Sequence, residues 1–272
     1  FERQVESDRA RLQKGEINLT DLAQSESSLA GASANLIKAQ TELLASKSEF
    51  QRITRVEAPE NENLLKKPLN ISLPKDFKSA LEIAKKNNPK LMIGKLDAMI
   101  AEKEFAIEKS KLSPTASINY SKSDSRDFSS SIDENNQETL KAEINWPIIK
   151  GGKNFSSIKK AKHKKLKNDL LLKDIENEVN TSTANAWSTY QSSKSILKST
   201  KSQLQAAEIA NEGITLEYDS GSTRTTLDVI QSRALLLNAR IDNAKAERDF
   251  VISKFQLGFQ LGTLSSSSIK SL

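Results

Sequence analysis

The fold is decided by two stretches, LAQSESSLAGASANLIKAQTELLASKSEF at residues 22–50 and VIQSRALLLNARIDNAKAERDFVISKFQL at residues 229–257. Both repeat their apolar residues every seven positions, and the two copies lie about 207 positions apart. The rows of the first copy are Leu22, Leu29, Leu36, Leu43 and Phe50; Ala23, Ala30, Ile37 and Leu44; and Ser25, Ala32, Ala39 and Ser46. The rows of the second copy are Val229, Leu236, Asn243, Phe250 and Leu257; Ile230, Leu237, Ala244 and Val251; and Ser232, Ala239, Ala246 and Ser253. These heptads predict long helices that supercoil left-handed, and the third, small row predicts a helix packed between neighbours.

The composition supports long, solvated helices. Of the 272 residues, 36% are hydrophobic and 5% aromatic, which is lean for a compact globule. The sequence holds no run of 18 apolar residues, the length typical of a transmembrane helix. Cysteine is absent, which excludes disulfides and thiolate chemistry. Because the sequence opens inside a helical pattern at Phe1, we expect a fragment of a longer protein, with any signal peptide upstream.

Prolines divide the chain, since all six lie at or before Pro147. A turn at 14–18 separates the end of one helix from the next, which we expect to begin at Thr20 with Thr20 or Asn18 as its cap. The predicted helices span residues 1–13, 20–56, 77–87, 89–112, 153–218 and 225–261.

Residues 115–123 and 140–146 alternate apolar and polar side chains, which predicts two strands joined by a polar loop at 121–138. One interpretation is a soluble hairpin packed on helices. The other is part of an outer-membrane barrel, because strands of about ten residues with one apolar face suit a barrel wall. In the barrel, Tyr120 and Trp146 would lie at the membrane interface. Helices too long for a globule favour the barrel.

The sequence resembles the TolC family of bacterial outer-membrane channel proteins over nearly its whole length. The resemblance is carried by the order and spacing of several short motifs. They are WPIIKGG at 146–152, YDSG at 218–221, LDV at 227–229, LGTL at 261–264, and the turn from Gly15 to Thr20-Asp21-Leu22.

The resemblance implies a mainly α fold with a β-hairpin: long antiparallel helical hairpins in a periplasmic α-barrel, and strands of a transmembrane β-barrel shared by a trimer. It implies six segments. They are the end of the first-repeat helical hairpin at 1–56 with its tip turn at 14–20, an equatorial connector at 57–88, an ascending helix at 89–112, an outer-membrane β-hairpin at 113–149, a long helical hairpin at 150–264 with its tip turn at 219–224, and a tail at 265–272.

The resemblance also implies a gate where the helix tips meet, at turns carrying Gly15 and Gly221. Thr20 and Asp21 match the acceptor side. Tyr218 and Arg224 match the donor side, and the register of Arg224 is left open because Gly221 to Asp228 is one residue longer than Gly15 to Asp21. An acidic residue that narrows the family's pore corresponds to Gln231, although Asp228 keeps a negative charge one turn earlier. The alternative to a gate role is that Asp21 and Asp228 simply lie in the first turns of their helices, where the helix dipole stabilises a negative charge.

A run of lysines occupies residues 153–173 and surrounds His163, the only histidine. Nucleic-acid binding needs a compact patch with stacking groups, and only Phe155 is aromatic here, so a solvated helix face is the simpler interpretation. Its expected place below a barrel also permits contact with anionic groups at the membrane. One histidine makes neither a metal cluster nor a catalytic triad.

Together, these features and the resemblance imply a passive exit duct for efflux or type I secretion, in the outer membrane of a Gram-negative bacterium and extending into the periplasm. They imply no enzymatic activity, no cofactor and no metal. The expected partners are two further copies, the lipid bilayer, a periplasmic adaptor, and an inner-membrane transporter of the RND, ABC or MFS type. The alternatives are a periplasmic adaptor or a coiled-coil scaffold. The exported substrate cannot be read from the sequence.

Overall fold

A computed structural model describes residues 1–59, 73–129, 131–148, 151–221 and 224–264. In these residues the helices are α1 (Glu2–Gln13), α2 (Leu19–Thr54), α3 (Phe77–Asn87), α4 (Pro89–Ser110), α5 (Lys153–Asp219) and α6 (Thr226–Leu261), and the strands are β1 (Thr115–Ser129) and β2 (Ile132–Asn145). The chain divides into two compact units, one of Phe1–Leu73, Ala186–Gly258 and Leu264–Leu272, the other of Pro74–Asn185 and Phe259–Thr263.

In the first unit, the row of small residues on α6 is the row that is buried at every position. Its members are Ser232, Ala239, Ala246 and Ser253. Small side chains bring helix backbones close together, so this row sets how tightly α6 packs. The buried face of α2 is short by comparison: Leu22 and Ser25 are buried, whereas Leu36 and Leu44 are 60% and 67% exposed.

In the second unit, Asn88 joins two helices through one side chain. Its Oδ1 accepts hydrogen bonds from the backbone N–H groups of Lys90 and Leu91 at 2.9 and 3.3 Å, which caps α4. Its Nδ2 donates to the carbonyl of Gln260 at 2.8 Å, so the start of α4 is fixed to the end of α6. Gly262 follows with a φ of +67°, the left-handed conformation common after a helix end.

The two strands pair antiparallel, and their apolar residues lie opposite one another. Cross-strand partners are Ala116 and Ile144, Ile118 and Ala142, and Tyr120 and Leu140. Residues at every second position share a face, so these three pairs form one apolar face. The same parity continues with Lys122 opposite Glu138, where the face becomes charged.

The predicted polar loop at 121–138 is wrong, because the strands continue through most of it to Ser129 and from Ile132. Ser, Asp and Asn are poor strand formers, which is why the sequence favoured a loop. In the hairpin, the backbone groups that face the partner strand pair along this stretch, and Lys122 Nζ lies 2.8 Å from Glu138 Oε1. Backbone pairing and cross-strand ion pairs extend the ladder beyond its apolar part.

Several predicted segments fall outside the described residues, wholly or in part. They are residues 60–72 of the connector, Ile149 and Lys150, Ser222 and Thr223 of the second tip turn, and the tail at 265–272.

We predict that Gly262→Ala destabilises the protein. A Cβ at this position would lie 2.2 Å from the backbone oxygen of Asn87, and the left-handed φ alone costs a non-glycine residue about 1–2 kcal/mol. Thermal unfolding of the intact protein should therefore show a lower midpoint. Gly213→Ala is the matched control, because it lies inside α5 and an added Cβ would meet no neighbouring atom within 4 Å. It should raise the stability by up to about 1 kcal/mol. Equal midpoints for the two variants would contradict the packing described at Gly262.

Candidate gate at the helix tips

The two helices that leave the tip turns begin with the same capping arrangement. At α2, the side chain of Asn18 accepts from the backbone N–H of Asp21 at 2.9 Å, and Asp21 accepts in return from the N–H of Asn18 at 3.3 Å. At α6, Asp228 accepts from the N–H of Thr225 at 2.8 Å, and Thr225 Oγ1 accepts from the N–H of Asp228 at 3.2 Å. These are reciprocal capping boxes. Their positions differ by 207 in both members, so the internal repeat extends to the caps.

Both candidate gate aspartates are therefore engaged within their own helix starts. The hydrogen bonds from the backbone and the side chain of Thr225 lower the pKa of Asp228 below its usual value, so the group is a carboxylate at neutral pH. Thr20 is exposed at the second residue of α2. The capping geometry accounts for an aspartate at each position and leaves the outer lone pairs of both carboxylates available to a further donor.

Arg224 lies immediately before the α6 cap and pairs within the chain. Its Nε donates to Glu217 Oε2 at 2.6 Å, and this bond raises the pKa of the guanidinium further above its usual value. Both side chains remain substantially exposed, at 43% and 51%. Arg224 is thus held at the tip surface by a partner that the sequence did not single out, and the ion pair is accessible to competition.

Tyr218, in contrast, is buried in the last turn of α5. Its hydroxyl lies 3.0 Å from Thr226 Oγ1, which links the end of α5 to the start of α6. The guanidinium carbon of Arg11 lies 4.5 Å from the centre of the Tyr218 ring, in a cation–π contact. Arg11 also donates from Nε to Glu16 Oε2 at 3.1 Å, and this bond raises the pKa of Arg11. The contact joins the last turns of α1 and α5, which precede the two tip turns.

Sequence reasoning missed Arg11, Glu16 and Thr226. No motif marks them, and the only signal was position: Arg11 and Tyr218 each lie in the last turn before a tip glycine. Gly15 and Gly221 have φ values of +74° and +77°, conformations that favour glycine at a helix end.

A buried polar cluster supports the first tip and was also missed. Asp8 is fully buried in α1; it accepts from Gln4 Nε2 at 2.8 Å and from the hydroxyl of Ser25 on α2. The second hairpin has a related contact, in which Ser232 Oγ donates to Asn211 Oδ1 at 3.3 Å. Ser25 and Ser232 occupy the same place in the small row, so this row carries polar links as well as close packing.

The aromatic residues predicted for the membrane interface are both exposed on the hairpin. Tyr120 is 63% exposed opposite Leu140, and Trp146 is 61% exposed at the base. The indole Nε1 of Trp146 donates to the carbonyl of Leu112 at 3.2 Å, which fixes the end of β2 to the segment that follows α4.

Among the described residues, no three acidic or histidine side chains form a group able to hold a metal ion, and no helix is both long and apolar enough to cross a membrane. His163 is exposed on α5.

The family model for outer membrane efflux proteins matches residues 80–263, which is more than half of the chain. The protein belongs to the outer membrane efflux protein family. The outer membrane efflux protein BepC of Brucella suis is 24% identical over 267 residues, covering 98% of this chain and 58% of that relative. The outer membrane protein TolC of Escherichia coli is 22% identical over 282 residues, covering 99% and 57%. The chain thus spans a little under three fifths of these relatives.

Solved structures give the same fold. The outer membrane protein VceC of Vibrio cholerae superposes with a TM-score of 0.73 at 19% identity, covering 96% of this chain and 62% of that one. The outer-membrane channel OprN gives 0.74 at 18% identity, covering 97% and 60%. Fold and family together confirm the resemblance to TolC, the mainly helical fold class with its β-hairpin, and the outer-membrane localisation in a Gram-negative bacterium. They disfavour the adaptor and scaffold alternatives.

We predict that Tyr218→Phe loosens the second tip without unfolding the helices. The variant keeps the ring under Arg11 and loses only the hydroxyl bond to Thr226, a change worth about 1 kcal/mol. Amide hydrogen exchange at the start of α6 should accelerate about fivefold. Tyr190→Phe is the control, because the Tyr190 ring stacks on Phe250 and its hydroxyl has no hydrogen bond within the described residues. Unchanged exchange in Tyr218→Phe would contradict a structural role for the buried hydroxyl.

Proposed function

We propose that the protein forms part of a trimeric exit duct of the outer membrane, open to passive transport for efflux or secretion. The observation that carries this proposal is the apolar face of a two-stranded sheet left exposed: Ile118 and Ile144 are 77% and 78% exposed. The sheet contains β1 and β2 alone among the described strands, so both of its outer edges are unpaired. In lipid, such edges must close with further strands, from other copies or from further residues of the chain.

The helices support the same arrangement. The apolar rows of α2 are exposed beyond the short stretch that α1 covers, as Leu36 and Leu44 show. A helix with apolar rows on two sides is stabilised when neighbours pack on both, which is the geometry of a tube of helices. Three copies would complete the tube around a water-filled bore. Under this proposal the segments keep the assignments made above, with the hairpin at 113–149 in the membrane and the hairpins at 1–56 and 150–264 in the periplasm.

The tip of the second hairpin offers a surface for an adaptor. A groove of about 360 Å³ lies between α5 and α6, lined by the small residues Ala206, Ala207 and Ala210 and by Gln231 and Ser232, among others. A partner helix could approach closely there because the walls are small. A periplasmic adaptor docked at the tips would couple the duct to an inner-membrane transporter of the RND, ABC or MFS type, which would supply the energy. The duct itself would perform no reaction and need no cofactor.

Gating would use the tip residues. In one state of the chain, Arg224 is bonded to Glu217 of the same chain. In the closed trimer, Arg224 would instead bond to Asp21 of a neighbouring copy. Tyr218 and Thr20 would position the two turns, while Asp228 would keep a negative charge near the entrance. Because each pair is exposed, a docked adaptor could overcome three of them together.

Single-channel recording of the full-length protein in planar bilayers tests both the duct and the gate. We expect ion conductance from the unmodified protein, and higher conductance from Asp21→Ala and Arg224→Ala because each removes one side of the latch. Glu217→Gln is the matched control: it removes only the partner within the chain, so it should leave conductance unchanged or lower it.

The possible failures are separable. A protein without any conductance contradicts the duct. Conductance that does not respond to Asp21→Ala or Arg224→Ala leaves the duct intact and removes the latch.

A further inference from the structure

Lysines gather where the helices meet the base of the β-hairpin. Residues 99–111 at the end of α4 and 151–167 at the start of α5 hold ten lysines and three glutamates. This excess of seven is larger than the net charge of the whole chain, which is +6. The basic character of the protein is therefore concentrated at one place.

Only three of these ten lysines are neutralised by ion pairs with the three glutamates. Glu108 pairs with Lys111, Glu104 with Lys164, and Glu102 with Lys165. The remaining lysines form no ion pair within 4 Å in the described part of the chain, and all are exposed. They are Lys103, Lys109, Lys153, Lys159, Lys160, Lys162 and Lys167, and we call them the lysine belt. A solvated helix face usually carries both positive and negative side chains, as the rest of this chain does. The uncompensated positive charge of the belt therefore indicates an anionic partner.

The belt lies beside the apolar face of the hairpin. Trp146 at the hairpin base donates to Leu112, so the indole is held next to the end of α4, where Lys109 lies. Lys153, Lys159 and Lys160 fall within the first eight residues of α5, about 12 Å of helix at 1.5 Å per residue. The reach of a lysine side chain added to the Debye length of about 8 Å covers this 12 Å, so all three charges can interact with a membrane surface at the hairpin base. Phe155, 69% exposed among these lysines, adds an apolar ring. Aromatic and basic residues together are typical of a membrane–water interface.

We propose that the lysine belt binds the phosphates of anionic glycerophospholipids in the periplasmic leaflet of the outer membrane. Lysine recognises phosphate as a compact, hydrated charge on a flexible stem, which suits mobile headgroups better than one fixed ligand. The inference depends on the hairpin lying in the outer membrane and not on the duct or its gate. Such a belt would set the depth at which the helices meet the bilayer.

The lipid is assigned by position. The belt is at the helical end of the hairpin, and the turn between β1 and β2 is at the other end. Lipid A phosphates of the outer leaflet would be reached from that other end. An acidic polypeptide would need a groove or aromatic contacts to fix its chain, whereas the belt presents separate lysines around two helix ends.

The test uses the purified full-length protein in a neutral detergent, titrated separately with dioctanoyl phosphatidylglycerol, dioctanoyl phosphatidylcholine and lipid A. The triple variant Lys153→Gln, Lys159→Gln, Lys160→Gln removes the three positive charges of the lysine belt at the start of α5, nearest the hairpin. The control variant Lys194→Gln, Lys198→Gln, Lys201→Gln removes three exposed lysines further along the same helix. A Lys→Arg triple at the belt positions keeps the charge and reports any loss caused by misfolding.

We expect phosphatidylglycerol to bind more tightly than phosphatidylcholine, with an affinity that falls as salt is added. Each lysine near a membrane surface contributes about fivefold, so the belt variant should lose roughly 10- to 100-fold in affinity. The control and the arginine variant should stay within about twofold of the unmodified protein. Equal binding of both phospholipids, equal loss in belt and control variants, or a belt that affects lipid A alone would each overturn the proposal. A protein that fails to conduct ions while binding phosphatidylglycerol as expected would disprove the duct and leave the belt standing.

Discussion

The open edges of the β1–β2 hairpin are the constraint on which the biological interpretation depends. Two paired strands leave one row of unpaired N–H and C=O groups on each side, and each such group costs several kcal/mol in hydrocarbon. The apolar face of the hairpin, with Ile118 and Ile144 outward, is equally unsuited to water. Both costs are removed together when strands from further chain or further copies close a barrel in the membrane. Family membership and localisation agree with that solution.

The helices, like the strands, have surfaces that need further neighbours. The heptad rows require neighbours along their length, and the small row allows them to approach closely, as burial of Ser232, Ala239 and Ser253 shows. At the tips, polar contacts take over from apolar ones. Capping boxes fix where α2 and α6 begin, and Arg11 over Tyr218 joins the ends of α1 and α5. The Arg224–Glu217 pair is exposed and therefore easier to rearrange than the buried Tyr218–Thr226 contact, which is a property that a gate needs.

The sequence predicted the helices well because the seven-residue period, the prolines and the tip glycines all agree. It left the cap of α2 open between Asn18 and Thr20, and the reciprocal bond with Asp21 selects Asn18. It misplaced the strand ends, because side-chain propensity says little about a ladder held by backbone pairing. Arg11 could not be found, since its contact with Tyr218 joins residues 207 positions apart and depends on how two hairpins pack. In the proposed trimer, contacts between neighbouring copies would involve surfaces that a single chain leaves exposed.

The number of copies in the native complex tests the central claim most directly. Native mass spectrometry of the full-length protein, extracted from outer membranes in mild detergent, should give a mass of three chains that persists on dilution. A single chain that is stable in detergent-free buffer, with its hairpin residues protected from a lipid-soluble label in whole cells, would contradict the trimeric duct.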